Sequence, residues 1–204
     1  MTQTREKFNK AMEFITRDGL QDLITWLEND TDFFVAPSST AFHGNFTEGL
    51  LQHSVNVLEF AIHNFNIMVK KRPEHEHLRE SLIISAIFHD VCKTNQYQMT
   101  EKWTKDANNK WQSYQGYTVE DKFPLGHGEK SVFLISRHMK LTEEEALAIR
   151  WHMGSFEVST IIPGMTKAAY DKAYEHPLVV LLHAADLLAT RVEDSIDYKT
   201  LAQK

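Results

Sequence analysis

Apolar residues recur at helical spacing over most of this chain. Phe8, Met12 and Ile15 mark an amphipathic helix within residues 5–17, and Leu20, Leu23, Ile24 and Leu27 mark a second after Asp18-Gly19. Residues 30–46 carry Pro, Gly and Ser and read as a loop. From Thr47 to about Lys71 a long helix is predicted, with Leu50, Val57, Ala61, Phe65 and Met68 along one stripe. His53 lies on that same apolar stripe. After Pro73 and a charged connection to Glu80, the run Ser81–Phe88 predicts a buried helix that ends in His89-Asp90.

The rhythm then changes. Residues 95–122 are rich in aromatic residues, Thr and Gln and are split by Asp106-Ala107-Asn108-Asn109, which predicts a β-hairpin around a polar tip. Helical spacing resumes from Leu125 to about Met139. Thr142 followed by Glu145 is a capping-box pattern opening a helix to about His152. Residues 154–164 read as a loop and 165–175 as a short helix. Pro177 opens PLVVLLHAADLLATRV, apolar nearly all round and so predicted to be central. The expectation is one all-α domain over residues 1–204, interrupted only by the hairpin.

Composition narrows the chemistry. The 42% apolar and 25% charged content is that of an ordinary globular chain. A net charge of −6 argues against a non-specific face for long nucleic acid, which needs positive charge, and leaves room for a small anionic substrate. Cys92 is the single cysteine, so no internal disulfide forms and a cytoplasmic location is expected. The polar start MTQTREKFNK shows no leader, and no run approaches the roughly 20 apolar residues of a membrane span. Oligomeric state has no signature here. The informative number is 11 histidines, since imidazole is the commonest metal ligand.

Several ligand-type residues stand in apolar or glycine-framed helical settings: His53, the pair His89-Asp90, His127, His152 and Asp186. Successive gaps of 36, 37, 25 and 34 residues are helix-plus-connection distances, which suits a site between packed helices. A buried imidazole beside a carboxylate needs partners, because an unpaired buried polar group costs several kcal/mol, about 2–7. His53, His89, Asp90 and Asp186 can hold one divalent ion, and Asp90 can bridge to a second held by His127 and His152. Nitrogen and carboxylate ligands suit Mn, Fe, Co, Ni or Zn, with Mg also compatible. Two such ions activate a water and steady a phosphoryl transition state. Lys93, three residues past Asp90, is placed to touch a substrate phosphate or balance the carboxylates.

The order H…HD…K…H…H…D resembles the HD-domain metal-dependent phosphohydrolases. The resemblance is carried by Gly49–His53 (GLLQH), Phe88–Lys93 (FHDVCK), Gly126–Ser131 (GHGEKS), Arg150–Gly154 (RWHMG) and Leu181–Arg191 (LLHAADLLATR), and spans residues 47–192. It implies a helical HD bundle with His53, His89, Asp90 and Asp186 as core ligands. His127 and His152 stand where the two-metal branch, which includes cyclic-nucleotide and cyclic-dinucleotide phosphodiesterases and some 3′–5′ exonucleases, has its additional histidines. The implied activity is hydrolysis of a phosphoester in a nucleotide or nucleotide-derived substrate. The alternatives are a single-metal nucleotidase or dNTP phosphohydrolase and a non-catalytic nucleotide-sensing module. Val91-Cys92, where many members have Ile-Gly, and the 95–122 insertion are departures from the family pattern.

The remaining chemistry-bearing residues have ordinary alternatives. Glu129 could replace His127 as a ligand. His183 could orient a ligand or be a satisfied core histidine. His43, His63, His75, His77, His138 and His176 read as surface residues. Arg150, Arg191 and Lys130 could bind phosphate or form surface salt bridges. Cys92 reads as a small packing residue. Trp103, Trp111, Tyr114 and Tyr117 could wall a substrate or pack across the hairpin.

Overall fold

Helices α3 (Gly49–Lys71), α4 (Arg79–Phe88), α6 (Glu143–Trp151) and α8 (Pro177–Leu188) pack on one another at the centre of the molecule. The computed structural model describes residues 1–41, 43–155 and 163–193. Around the centre lie α1 (Gln3–Met12), α2 (Leu20–Asn29), α5 (His127–Ser136) and α7 (Pro163–Ala173). One antiparallel hairpin, β1 (Tyr97–Lys105) and β2 (Trp111–Val119), stands between α4 and α5. The protein is therefore mostly helical with a small two-stranded sheet.

The apolar stripes account for this packing. On α3, Leu50, Val57, Ala61 and Phe65 are buried together with His53, and Met68 is half-buried in the last turn. Seven consecutive residues of α4, Leu82–Phe88, are buried, so this helix is enclosed on every side. Phe8, Phe33, Phe34 and Phe88 meet edge to face and join α1 to the end of α4.

Element ends shift where local chemistry outweighs periodicity. α1 stops at Met12, yet Ile15 stays buried on the turn that follows. A 3₁₀ turn over Pro73–Leu78 runs straight into α4, which starts at Arg79 and not at Ser81. α5 begins at His127 because Gly126 is extended, and it ends at Ser136. The capping box of Thr142 and Glu145 forms as its sequence suggests. α7 opens at Pro163, inside the stretch expected to be loop, since proline's fixed φ suits a first helical turn. Residues 156–162 of that loop lie outside the described residues. α8 buries Leu178, Val179, Leu181, Leu182 and Ala185 but leaves Val180 and Leu187 exposed, so its apolar circumference overstates its burial. A π-turn, Ala189–Glu193, continues it. Among the described residues no helix is long and apolar enough to cross a membrane.

The hairpin register runs from Tyr97↔Val119 to Lys105↔Trp111. Its tip is an Asx-type turn: Asp106 Oδ1 accepts the backbone N–H groups of Asn108 and Lys110, at 2.8 and 2.9 Å. Trp103 faces Ser113, and Trp111 faces Lys105, whose ammonium lies 5.3 Å from the indole centroid. Trp103, Trp111 and Tyr114 thus face polar partners across the strands, while Tyr97 and Tyr117 face Val119 and Met99. The hairpin is stitched at its root to the loop between α2 and α3. Asn95 and Asp32 exchange backbone N–H and side-chain oxygen contacts at 3.0 and 2.6 Å, and the Tyr97 hydroxyl donates to the Ser38 carbonyl at 3.2 Å. Lys130, expected at the surface, is buried and reaches Asp121 at 2.6 Å.

One buried ion pair holds the α1–α2 turn to α6. Arg17 donates from both terminal nitrogens to the Glu145 carboxylate, each at 2.9 Å, while Glu145 Oε2 also accepts the Thr142 N–H. Glu145 is fully buried and Arg17 is not, so truncating the arginine strands a carboxylate. Arg17→Ala is expected to lower the unfolding free energy by about 3 kcal/mol. Urea denaturation against wild type checks this, and a loss under about 1 kcal/mol, the range of an exposed pair, contradicts it.

Candidate metal centre

Each candidate ligand sits where an element begins, ends or is crossed by another. His53 is in the second turn of α3, and Asp186 is near the end of α8. His89 and His152 are the C-cap residues of α4 and α6, and His127 is the first residue of α5. Asp90 leaves helical geometry at φ −105° and ψ 17°, which turns its carboxylate back toward the imidazoles. His53, His89, Asp90, His152 and Asp186 are buried, and His127 is half-buried.

The two oxygens of Asp90 face different partners. Oδ2 lies 3.5 Å from His53 Nε2 and 3.4 Å from His89 Nε2. Oδ1 lies 2.7 Å from His127 Nε2 and 3.5 Å from His152 Nε2. His53 Nε2 is in turn 3.2 Å from both His89 Nε2 and Asp186 Oδ1. Three groups of donor atoms result: His53, His89 and Asp90; His89, His152 and Asp186; and Asp90, His127 and His152. Ligands at about 2.0–2.2 Å from one ion stand roughly 3.0–3.4 Å apart, close to these separations. The residues present therefore suit a divalent cation.

The backbone sets the donor nitrogens. His89 Nδ1 donates to the Ala86 carbonyl at 2.8 Å, and His152 Nδ1 to that of Ile149 at 2.7 Å. Each contact fixes the tautomer that leaves a lone pair on Nε2. His152 Nε2 is buried and has no hydrogen-bond partner. That orphaned atom is the strongest local sign of an ion, because a buried acceptor without a partner is costly. Two glycines permit the close approach. A Cβ on Gly128 would lie 2.4 Å from the Arg150 carbonyl oxygen, so only glycine lets α5 start against the end of α6. Gly154, at φ +62°, leaves space for the His183 ring, whose Nδ1 donates to the His152 carbonyl at 2.6 Å.

Charge follows from burial and contact. Burial pushes the His89 imidazole down, keeping it neutral and able to donate its lone pair. Burial favours a neutral Asp90, but the Lys93 ammonium and then the imidazoles outweigh it and hold the carboxyl well below its usual range. Burial also opposes the Lys93 charge, and the Asp90 carboxylate 2.6 Å away more than restores it. Asp186 is likewise held low, against burial, by His53. His127 resists desolvation through Cys92 and Asp90 and is pushed up to about 10.

A cavity of about 220 Å³ opens onto this cluster. Asp90, Lys93, His127, His152 and Asp186 line it, with His43, Met153, His183, Leu187, Thr190 and Arg191. His43 is thus a cavity residue and not a surface one, with its ring 5.0 Å from that of His53. No helical periodicity pointed to it, because it lies in the loop before α3. Thr190, also unforeseen, donates to Asp186 Oδ1 at 3.3 Å. Arg150, a candidate for substrate binding, does not line the cavity. It pairs with Glu129 and lies over the Trp151 ring, and this engages the carboxylate that could have replaced His127. No residue of 95–122 lines the cavity either. Of the other histidines, His63 and His77 are exposed, while His75, His138 and His176 are half-buried.

Comparison with protein-family models, curated proteins and solved structures finds no match. The buried histidines and aspartates are consistent with an HD-like pattern and could hold a metal.

At neutral pH the metal-free His127, with its pKa near 10, carries a proton that an ion at Nε2 must displace. Affinity for that ion is therefore expected to rise with pH, about tenfold per unit for one proton released. Manganese titration calorimetry in buffers of different ionisation enthalpy counts the proton, and zero release contradicts the assignment.

Proposed function

We propose that this protein is a metal-dependent phosphohydrolase that uses two divalent ions to cleave a phosphoester in a nucleotide or nucleotide-derived substrate. The observation carrying this reading is the division of the Asp90 carboxylate, one oxygen toward His53 and His89 and the other toward His127 and His152. A carboxylate shared in this way suits a bridge between neighbouring ions. The nucleotide part of the reading draws on the resemblance to HD-domain phosphohydrolases.

When bound, paired divalent ions lower the pKa of a water and offset charge on the phosphoryl oxygens. The residues of the chain do the rest. His53, His89 and Asp186 would hold one ion together with Asp90, and His127 and His152 would hold a second with it. The carbonyls of Ala86 and Ile149 keep two of the imidazoles aimed. Lys93 holds Asp90 anionic, and of its three N–H groups those not engaged by Asp90 can meet a phosphoryl oxygen in the cavity. Met153 and Leu187 supply apolar wall for the organic part of a substrate.

Elemental analysis of the purified protein, followed by a nucleotide and phosphodiester panel with added Mn, Co or Ni, tests the reading. Wild type is expected to hold two ions and hydrolyse at least one substrate. Asp90→Asn should lose both ions and at least about 100-fold in rate, while His127→Ala should keep one ion. Hydrolysis unchanged in Asp90→Asn overturns the proposal. Two ions with no turnover across the panel would favour a nucleotide-sensing module.

A further inference from the structure

His89, His127 and His152, three of the imidazoles around Asp90, do not obtain their Nδ1 contacts in the same way. His89 and His152 end helices, so each reaches the carbonyl three residues earlier. His127 begins a helix and has no preceding turn to supply such a carbonyl. Its Nδ1 lies instead 3.2 Å from the Cys92 sulfur, with Nε2 farther away at 3.8 Å. Cys92 is buried, and its backbone N–H donates to Ser131 Oγ at 3.1 Å. Ser131 is four residues after His127, on the same face of α5. Cys92 therefore grips α5 at two points one helical turn apart. Independently, the orphaned Nε2 of His152 lies beside the same Asp90 oxygen that His127 Nε2 approaches. With that oxygen the two nitrogens form a three-atom donor group.

We propose that Cys92 is a positioning residue for the second metal site: its sulfur accepts the His127 Nδ1–H and so presents Nε2 as the ligand. The inference rests on the two-ion reading above. Among the described residues the sulfur joins none of the three donor groups, which sets it apart from the candidate ligands. A ligand histidine ordinarily donates its other ring N–H to a carbonyl, carboxylate or water, and losing that partner weakens metal affinity about 10–100-fold. Here a thiol sulfur takes that place, so the two ions should respond differently to its removal.

The test is manganese binding to the full chain, wild type against Cys92→Ala and Cys92→Ser, with cobalt absorption spectra in parallel. Cys92→Ala is expected to bind the first ion with wild-type affinity and the second about 10–100-fold more weakly. Cys92→Ser, whose hydroxyl can accept the same N–H, should recover most of that loss. Wild-type affinity for both ions in Cys92→Ala overturns the proposal, as does an equal loss at both sites, which would mark a purely structural cysteine. A sulfur-to-cobalt charge-transfer band in wild type makes Cys92 a ligand and also overturns it. A wild type that binds a single ion defeats the two-ion reading itself, a result distinct from failure of the cysteine alone.

Discussion

The carboxylate of Asp90 is the constraint around which this molecule is arranged. It is almost fully buried and ionised, and a lone charge there would be untenable. The Lys93 ammonium contacts it directly, and imidazole nitrogens close in on both oxygens, the protonated His127 among them. Four helices and the 3₁₀ turn Val91–Lys93 must come into register for these contacts to form together. The packing of α3, α4, α6 and α8 therefore builds the core and the polar cluster at once.

The placement of ligands at helix ends has a physical logic. A residue at a C-cap has left the helix far enough to turn its ring inward, yet retains a carbonyl one turn back to hold Nδ1. His89 and His152 both use this arrangement. Helix starts lack it, and α5 compensates with a glycine-permitted approach to α6 and with the Val91–Lys93 turn. The result is a cluster oriented largely by backbone, which keeps its donors fixed while leaving a cavity on one side.

Much of this was legible in the sequence, because buried polar residues contrast with an apolar background. His53 on the α3 stripe, His89-Asp90 at the end of an enclosed helix and Asp186 in α8 all announce themselves that way. The hairpin was legible from its aromatic, Thr and Gln content and from the polar tip Asp106-Ala107-Asn108-Asn109. What periodicity could not carry was anything depending on a second element. Lys130 looks like a surface lysine until Asp121 comes back along the hairpin to meet it. His43 lies in an irregular loop, so nothing local says which way its ring turns. Arg150 stands two residues from a ligand, but Glu129 and the Trp151 ring draw it elsewhere. Cys92 reads as small and apolar, and its contact with His127 spans 35 residues of chain.

That separation gives the hairpin a role unrelated to chemistry. A formless connection bridging Cys92 and His127 would cost about 3 kcal/mol in closure entropy. Pairing Tyr97 with Val119 brings the two ends of that connection together. Only residues 94–96 and 120–126 then remain to be ordered as connecting chain, which lowers the closure cost by about 1 kcal/mol. The insertion thus shortens the effective distance in sequence between the two halves of the site. A zipped strand pair can carry almost any tip beyond Lys105 and Trp111 without altering that saving.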